Sequence, residues 1–194
     1  MSINHDKIRL SHTVVMMFSG HAGVGKSFCS DLAQKYCNEL GLKTVKEPLA
    51  KDVKATAEFM GWRGVKDAAG RKLLQNIGSA GREYDKNLWV QSVFYRIDES
   101  VGYPYDVVFI DDFRFMNEFE YVRDNMLLYK PVPIRVIAPD REMLVGTPEY
   151  NDPSETELDN QDFQVYILNR KDDLYVHKHV HRVVDRILKT FNTV

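Results

Sequence analysis

The stretch MMFSGHAGVGKSF, residues 16–28, decides the fold class of this chain. An apolar run passes directly into a loop with glycines at positions 20, 23 and 25, and Lys26 and Ser27 follow at once. Residues 20–27 match the pattern GxxxxGK[ST] at every position. In such a loop the glycines let successive backbone N–H groups turn toward one anion, and the helix that follows adds its positive N-terminal end. The stretch therefore predicts a loop that holds the phosphates of a nucleotide.

This loop pattern assigns a task to each of its residues. We expect Lys26 to reach the outer phosphates as a catalytic cation and Ser27 to bind Mg²⁺. The predicted nucleotide is ATP, with Mg²⁺ as its companion ion. The residues expected to bind ATP are Gly20, His21, Ala22, Gly23, Val24, Gly25, Lys26, Ser27 and Phe28.

A second apolar pattern, VVFIDD at residues 107–112, ends in two aspartates. A carboxylate at the end of such a strand is the usual second anchor for magnesium beside a phosphate loop. We assign Asp112 to the metal and Asp111 to the orientation of a second substrate, although the pattern leaves their order open and one of the pair could cap the next helix. Arg114 follows directly and is predicted to contact both the second substrate and the transferred phosphate.

Apolar runs alternate with helical patterns along the chain, which indicates βαβ units around a parallel sheet. We expect one domain with a three-layer α/β fold and five parallel strands, closed by a helix over residues 172–191. The predicted strands cover residues 12–19, 41–47, 106–112, 133–138 and 163–168. The predicted parts are a core of residues 12–48, 106–138 and 161–194, a helical insert of residues 49–105 and a lid of residues 139–160.

The insert and the lid suit a protein that moves a phosphate between two substrates. The insert is locally basic, and a phosphoryl acceptor needs a site opposite the loop that is lined with cations. The lid is rich in proline and charged residues, and we expect it to act as a flap that excludes water and brings Arg141 to the transferred group. The cations of the insert are Lys51, Lys54, Arg63, Lys66, Arg71, Lys72 and Arg82.

Composition narrows the class of partner. The chain has 194 residues, 44% of them hydrophobic and 28% charged, with a formal net charge of −2. This balance argues against a nucleic-acid or membrane binder, for which a basic excess is expected. Its two cysteines, Cys29 and Cys37, lie on one predicted helix about 12 Å apart, too far for a disulfide. Reduced cysteines and the lack of a long apolar run predict a cytoplasmic protein.

A GTPase is a second reading of the loop. The segment LNRKDDL, residues 168–174, resembles the guanine-reading signature Asn-Lys-x-Asp. GTPases also place a glycine three residues after the aspartate that binds the metal, and here the corresponding residues are Arg114 and Phe115. The missing glycine disfavours a GTPase, and the short chain leaves little room for the coupling elements of a motor ATPase.

Several motifs together resemble the phage-type deoxynucleoside monophosphate kinases, which are related to the wider group of nucleoside monophosphate kinases. The resemblance covers about residues 12–170, in the same order and at compatible spacings. Leu-Gln-x-x-Gly, a later arginine and Asp-x-Arg-Phe-x-Asn-Glu are together much more specific than the loop alone. The motifs are EPLAKDVK (47–54), GRKLLQNIGSAGRE (70–83) with Trp89, VVFIDDFRFMNEFEYVR (107–123), and SETELD (154–159) with Asn169.

The resemblance implies transfer of the γ-phosphate of ATP to a deoxynucleoside 5′-monophosphate, in the host cytoplasm if the protein is encoded by a phage. It implies that Arg71 and Arg82 hold the acceptor phosphate and that Gln75 contacts the acceptor base, whereas we expect Trp89 in the core. The family has a lysine near residue 50, and either Lys51, which we prefer, or Lys54 takes that role. The acceptor residues are then Lys51, Arg71, Gln75, Arg82, Asp111 and Arg114.

Two other functions stay open at this point. The chain could be a kinase for another small acceptor, such as dephospho-coenzyme A, or a regulatory protein that binds a nucleotide without turnover. The sequence also leaves open which bases are accepted, whether deoxyribose is preferred to ribose, and whether the protein forms a homodimer.

Overall fold

A computed structural model describes residues 8–139, 146, 148–170 and 172–193 of the chain. Its strands are β1 (Thr13–Ser19), β2 (Thr44–Lys46), β3 (Val107–Ile110), β4 (Tyr129–Ile137) and β5 (Val165–Leu168). They form a sheet in the order β2-β3-β1-β4-β5, and every neighbouring pair is parallel. The helices are α1 (Lys26–Glu39), α2 (Lys51–Phe59), α3 (Ala68–Tyr84), α4 (Leu88–Asp98), α5 (Met116–Asn125), α6 (Pro153–Thr156) and α7 (Asp173–Phe191), with a 3-10 turn at Pro148–Asn151.

Strand β1 lies at the centre of the sheet and is buried on both faces. Because side chains alternate along a strand, Val14 and Met16 pack with α1 and α7, whereas Val15 and Met17 pack with α4 and α5 on the other face. Helices therefore cover both faces of the sheet. The chain has the predicted three-layer α/β fold of phosphate-loop proteins, with five parallel strands.

Strand β4 begins four residues earlier than predicted. The sequence predicted a strand over residues 133–138, PIRVIA. In the structure β4 pairs with β1 from Tyr129 onward, whereas its pairing with β5 begins only at Ile134. The first half of β4 thus has one free edge, and two prolines two residues apart are tolerated along such an edge.

The connections after β1 and β3 run in opposite directions across the sheet and leave a crevice at the carboxyl ends of these two strands. The chain leaves β1 and passes β3 to reach β2, while from β3 it passes β1 to reach β4. The segments that follow β1 and β3 therefore diverge at the carboxyl edge of the sheet, which is where ligands bind in open α/β folds. Helices α2, α3 and α4 all lie between β2 and β3 along the chain. None of the described helices has both the length and the hydropathy to cross a bilayer.

Candidate active site

The loop between β1 and α1 has a backbone that only glycine adopts readily. Gly20 and Gly25 have φ angles of 143° and 88°. A Cβ atom on Gly20 would lie 2.5 Å from the carbonyl oxygen of Val136, and one on Gly25 would lie 2.2 Å from the side-chain nitrogen of Asn169. Both positions therefore exclude any side chain, for conformational and for steric reasons.

Asn169 supports the loop from the end of β5. Its side chain is buried, and its Nδ2 atom donates a hydrogen bond of 2.8 Å to the carbonyl oxygen of Val24. Within the described part of the chain, its Oδ1 atom is buried and has no hydrogen-bond partner. The resemblance included Asn169, but no spacing in the sequence shows that it holds the loop.

The ammonium group of Lys26 lies across the loop that precedes it. Its Nζ atom donates to the carbonyl oxygens of Gly20 at 2.6 Å and of His21 at 3.0 Å. Burial lowers the pKa of Lys26 to about 8, and the nearby charge of Arg114 acts in the same direction. Lys26 is therefore protonated at neutral pH, although its charged form is poorly solvated.

The two aspartates after β3 have different partners. Both carboxylate oxygens of Asp112 accept backbone hydrogen bonds, from Leu49 at 2.7 Å and from Ala50 at 3.0 Å, just before α2. Asp111 instead accepts a hydrogen bond from Ser27, and its Oδ2 atom lies 2.9 Å from Nζ of Lys46. Asp111 is therefore the aspartate that adjoins the loop.

The pKa shifts of the two carboxyl groups follow from these partners. Burial acts to raise the pKa of Asp111, but the hydrogen bonds from Ser27 and Lys46 outweigh it and hold that pKa below its usual value. Burial raises the pKa of Asp112, against the effect of its two backbone N–H donors. The assignment of the metal to Asp112 is at odds with this geometry, because its oxygens already hold the backbone before α2.

A magnesium ion fits the chemistry of Ser27 and Asp111. The described residues contain no group of three or more His, Cys, Asp and Glu side chains that could hold a metal ion. Magnesium at a phosphate loop does not need one, because it keeps several waters and binds phosphate oxygens beside one or two protein ligands. A hydroxyl group next to an ionised carboxylate meets that requirement.

A cavity of about 600 Å³ adjoins the loop, a volume typical of ligand-binding pockets. The loop and the end of β3 form one side, and helices α2 and α3 form the other. Twelve of the predicted site residues line it: Ala22, Gly23, Gly25, Lys26, Ser27, Phe28, Arg71, Gln75, Arg82, Asp111, Asp112 and Arg114.

The side of the cavity formed by the insert carries four cations, Lys54, Lys66, Arg71 and Arg82. Desolvation lowers the pKa of Lys66, and the charges of Lys54 and Arg71 lower it further. Desolvation also lowers the pKa of Arg82, whose guanidinium lies 3.9 Å from the ring centre of Phe115. Partly desolvated charges of one sign favour the binding of an anion.

Some of the predicted residues lie elsewhere. Lys51 is exposed and does not line the cavity, and its Nζ atom pairs with Oε1 of Glu47 at 3.0 Å. Its alternative, Lys54, does line the cavity. Gly20, His21 and Val24 do not face the cavity either, and instead form the body of the loop. Arg141 lies outside the described residues, so its role stays a prediction.

Trp89 was expected in the core but lines the cavity. Its indole nitrogen donates a hydrogen bond of 3.0 Å to the carbonyl oxygen of Gly78 in α3. A tryptophan on a helix with apolar neighbours looks like a core residue in the sequence. The packing of α4 against α3 turns it toward the cavity instead.

Glu118 fixes the turn between β3 and α5. Its side chain is buried, and Oε2 accepts backbone hydrogen bonds from Arg114 at 3.0 Å and from Phe115 at 3.1 Å. Burial raises the pKa of Glu118 to about 8. The sequence analysis gave this residue no role, and its contacts set the backbone position from which Arg114 extends.

Residues of the predicted lid contact the loop directly. Oε2 of Glu155 accepts a hydrogen bond of 2.8 Å from the backbone N–H of Ala22, and Oδ1 of Asp159 lies 2.8 Å from Nε2 of His21. These partners are 133 and 138 positions apart in the sequence. Contacts over such separations leave no local signal, which is why the sequence analysis missed them.

No family model matches the chain. Among curated proteins, the chain is 30% identical over 160 residues to "Uncharacterized protein ORF77" of Ictalurid herpesvirus 1 (strain Auburn). The aligned stretch covers 80% of this chain and 63% of the herpesvirus protein, so it spans less than two thirds of that relative.

Two solved structures align with most of the chain. A gluconokinase from Sinorhizobium meliloti 1021 is 10% identical with a TM-score of 0.47, over 94% of this chain and 96% of that one. The structure of APE1195 is 16% identical with a TM-score of 0.45, over 94% of this chain and 99% of that one. The fold class rests on the strand order and on the geometry of the loop.

Proposed function

We propose that this protein transfers the γ-phosphate of ATP to a deoxynucleoside 5′-monophosphate and so forms the diphosphate. The observation that carries the proposal is a single cavity with two differently built sides. A phosphate loop forms one side, and the cations of the insert form the other. A protein that only hydrolyses ATP needs the first side, whereas partly desolvated cations on the second side fit the phosphate of another substrate.

On the loop side, the backbone N–H groups and the start of α1 hold the phosphates of ATP. Lys26 moves from the carbonyl oxygens of Gly20 and His21 toward the outer phosphates, which carry more negative charge. Ser27 and Asp111 would hold Mg²⁺, which neutralises phosphate charge when it is bound. Lys46 helps keep Asp111 ionised for that purpose.

On the insert side, Arg71 and Arg82 bind the phosphate of the acceptor, because a guanidinium matches phosphate oxygens in a bidentate way. Gln75 offers a donor and an acceptor to the edge of the acceptor base. Arg114 extends from the end of β3 into the same cavity and stabilises the phosphoryl group in transit. The reaction is an in-line transfer without a covalent intermediate, and positioning supplies most of the catalysis.

The choice of a deoxynucleoside monophosphate rests on the sequence resemblance. Four of its motifs, within residues 47–54, 70–83, 107–123 and 154–159, contribute residues that line this cavity. Segments far apart in the chain thus carry the resemblance and surround one site, which supports the proposal. A kinase for another acceptor would need the same cations, so only the acceptor itself decides between them.

The test is an acceptor panel with ATP labelled at the γ-phosphate. The arms are the four deoxynucleoside monophosphates, the four ribonucleoside monophosphates, dephospho-coenzyme A and no acceptor, with Lys26→Ala protein as the control. We expect label in at least one deoxynucleoside diphosphate and none with the variant. Label in dephospho-coenzyme A alone would support the other kinase, and ATP binding without transfer in any arm would support a regulatory protein.

A further inference from the structure

Helix α6 places a buried carboxylate, that of Glu155, at the phosphate loop. This side chain has no part in the phosphoryl transfer proposed above. The side chain of Glu155 is only 6% exposed. Oε2 accepts the hydrogen bond from the backbone N–H of Ala22, and Oε1 lies 2.5 Å from Nη1 of Arg114. One carboxylate therefore joins the loop that holds ATP to the arginine that faces the transferred group.

Arg114 is held by the same segment at a second point. Its Nη1 atom also donates to the carbonyl oxygen of Ser154, next to Glu155 in the chain. The other end of the arginine is fixed as well, because its backbone N–H donates to the buried Glu118. The guanidinium and the backbone of Arg114 are thus both constrained.

The segment that carries Glu155 is itself anchored on either side. Asp152 caps α6 by accepting from the backbone N–H of Ser154 at 2.9 Å. Oε1 of Glu157 accepts from the backbone N–H of Met116 at 2.9 Å, and Asp159 contacts His21 in the loop. Glu155 is therefore a fixed support, since contacts with the loop and with the start of α5 hold its segment in place.

We infer that Glu155 is a positioning residue, which holds the guanidinium of Arg114 and the backbone N–H of Ala22 in the geometry that phosphoryl transfer needs. The inference rests on the proposed function for the reaction that it serves. A long arginine side chain loses conformational entropy when it binds a substrate in one rotamer. If an ion pair already fixes that rotamer, this entropy is lost before the substrate binds.

The opposite role for Glu155 would be that of an internal anion that competes with phosphate for the same two donors. The two roles predict opposite results when the charge is removed. A positioning residue is expected to sustain turnover, whereas a competing anion would weaken ATP binding. The experiment is designed around this difference.

The first variant is Glu155→Gln, because an amide has one acceptor oxygen and cannot accept from both Ala22 and Arg114. We expect kcat to fall about tenfold to a hundredfold while KM for ATP stays within about threefold. Glu99→Gln is the matched control, because this glutamate is exposed at the end of α4 and does not line the cavity. We expect its kcat to stay within about twofold of the wild type.

A double-mutant cycle with Arg114→Ala separates positioning from general structural damage. If Glu155 acts through Arg114, adding Glu155→Gln to Arg114→Ala lowers kcat by no more than about twofold. If Glu155→Gln lowered kcat by the same factor with Arg114 present and with Arg114→Ala, the inference would be wrong. Should Glu155→Gln fail to fold by circular dichroism, Glu155→Asp replaces it in the cycle, with the same expectations, because the shorter carboxylate cannot reach both partners.

Two measurements judge Glu155 without turnover, so they separate this inference from the proposed function. Calorimetric titration with Mg·ATP should give Glu155→Gln a Kd within about threefold of the wild type, and NMR should show altered side-chain signals of ¹⁵N-labelled Arg114. Unchanged Arg114 signals would overturn the inference, as would a Kd for Mg·ATP at least tenfold lower than that of the wild type. A wild-type protein that phosphorylates no acceptor refutes the proposed function, while these two results still decide whether Glu155 holds Arg114.

Discussion

The two sides of the cavity are constructed in different ways. Apart from the end of β3, the loop side comes from one continuous stretch, residues 20–28, and the backbone of this stretch is fixed by glycine angles and by the amide of Asn169. The insert side comes from side chains on separate helices, with Lys54 on α2 and Arg82 on α3. A contiguous motif carries its geometry in its own sequence, whereas a site assembled from several helices depends on how they pack.

The packing behind the two sides also differs. Helix α1 buries Cys29, Ser30, Ala33 and Cys37 against the sheet, while the buried residues of the longer α3 are Gly70 and Gly78. Phe59, the last residue of α2, is 94% exposed. A helix that buries little surface opens at a lower free energy, so the insert has more freedom to move than the loop. Substitutions on the loop side should abolish function, and those on the insert side should weaken one substrate selectively.

The largest expected effect is that of Lys26→Ala. Removal of the cation that spans the outer phosphates should lower kcat/KM for ATP about a thousandfold. Circular dichroism should show an intact fold, because the hydrogen bonds of Lys26 in the described structure go only to carbonyl oxygens of its own loop. Lys35→Ala, an exposed lysine on the same helix, is the control and should change neither quantity. Turnover near the wild-type value for Lys26→Ala would contradict the phosphate-loop assignment.

The next effect distinguishes the two aspartates. Asp111→Asn should lower activity about a hundredfold at low Mg²⁺, with partial recovery as Mg²⁺ is raised, because it removes an ionised ligand beside Ser27. Asp112→Asn should lower the melting temperature instead, since it weakens the acceptor of two backbone N–H groups before α2. A magnesium titration and thermal melts of both variants measure these effects. The reverse assignment would hold if Asp112→Asn had the stronger dependence on Mg²⁺.

A smaller and more selective effect is expected on the insert side. Arg82→Ala should raise the acceptor KM or lower kcat, for a loss of about 1.5–3 kcal/mol, or roughly tenfold to a hundredfold in kcat/KM. KM for ATP should stay within a few fold, and Arg71→Ala should act in the same direction. Lys72→Ala, an exposed neighbour on α3, is the control. Steady-state kinetics with each substrate varied in turn would show whether the arginines serve the acceptor alone.

The smallest expected effect near neutral pH is the pH dependence of kcat/KM for ATP. Lys26 has a pKa of about 8 and binds phosphate in its protonated form, which dominates below that pH and is lost above it. The kcat/KM for ATP should fall about twofold between pH 7 and 8 and then approach a tenfold loss per pH unit. In Lys26→Arg the guanidinium stays charged, so this basic limb should disappear. A flat profile up to pH 9.5 in the wild type would contradict the assignment.

The sequence predicted the layers of the fold and the phosphate loop because both rest on local patterns. Buried parallel strands are continuous apolar runs, and a glycine loop followed by lysine and serine is specific to one geometry. Which of Asp111 and Asp112 lies beside the loop was not predictable from the end of a strand. It depends on where α2 begins, because the N–H groups of Leu49 and Ala50 bind Asp112.

The contacts that support the site could not be predicted from the sequence for a different reason. Glu155 and Asn169 contact the loop across 133 and 145 positions, and neither contact has a fixed spacing that a motif could carry. The choice between Lys51 and Lys54 depended on which face of α2 meets α3. In the structure Lys51 pairs with Glu47 outside the cavity, and Lys54 lines the cavity.

The central claim is that one cavity binds two different substrates through two separate sets of residues. Calorimetric titration of Lys26→Ala and Arg82→Ala tests it most directly, with a non-hydrolysable ATP analogue plus Mg²⁺ and, separately, with each deoxynucleoside monophosphate. We predict that Lys26→Ala loses about a hundredfold in affinity for the ATP analogue and keeps the monophosphate within about threefold, and that Arg82→Ala shows the reverse. Equal losses for both ligands in both variants, or no loss of monophosphate affinity in Arg82→Ala, would contradict the claim.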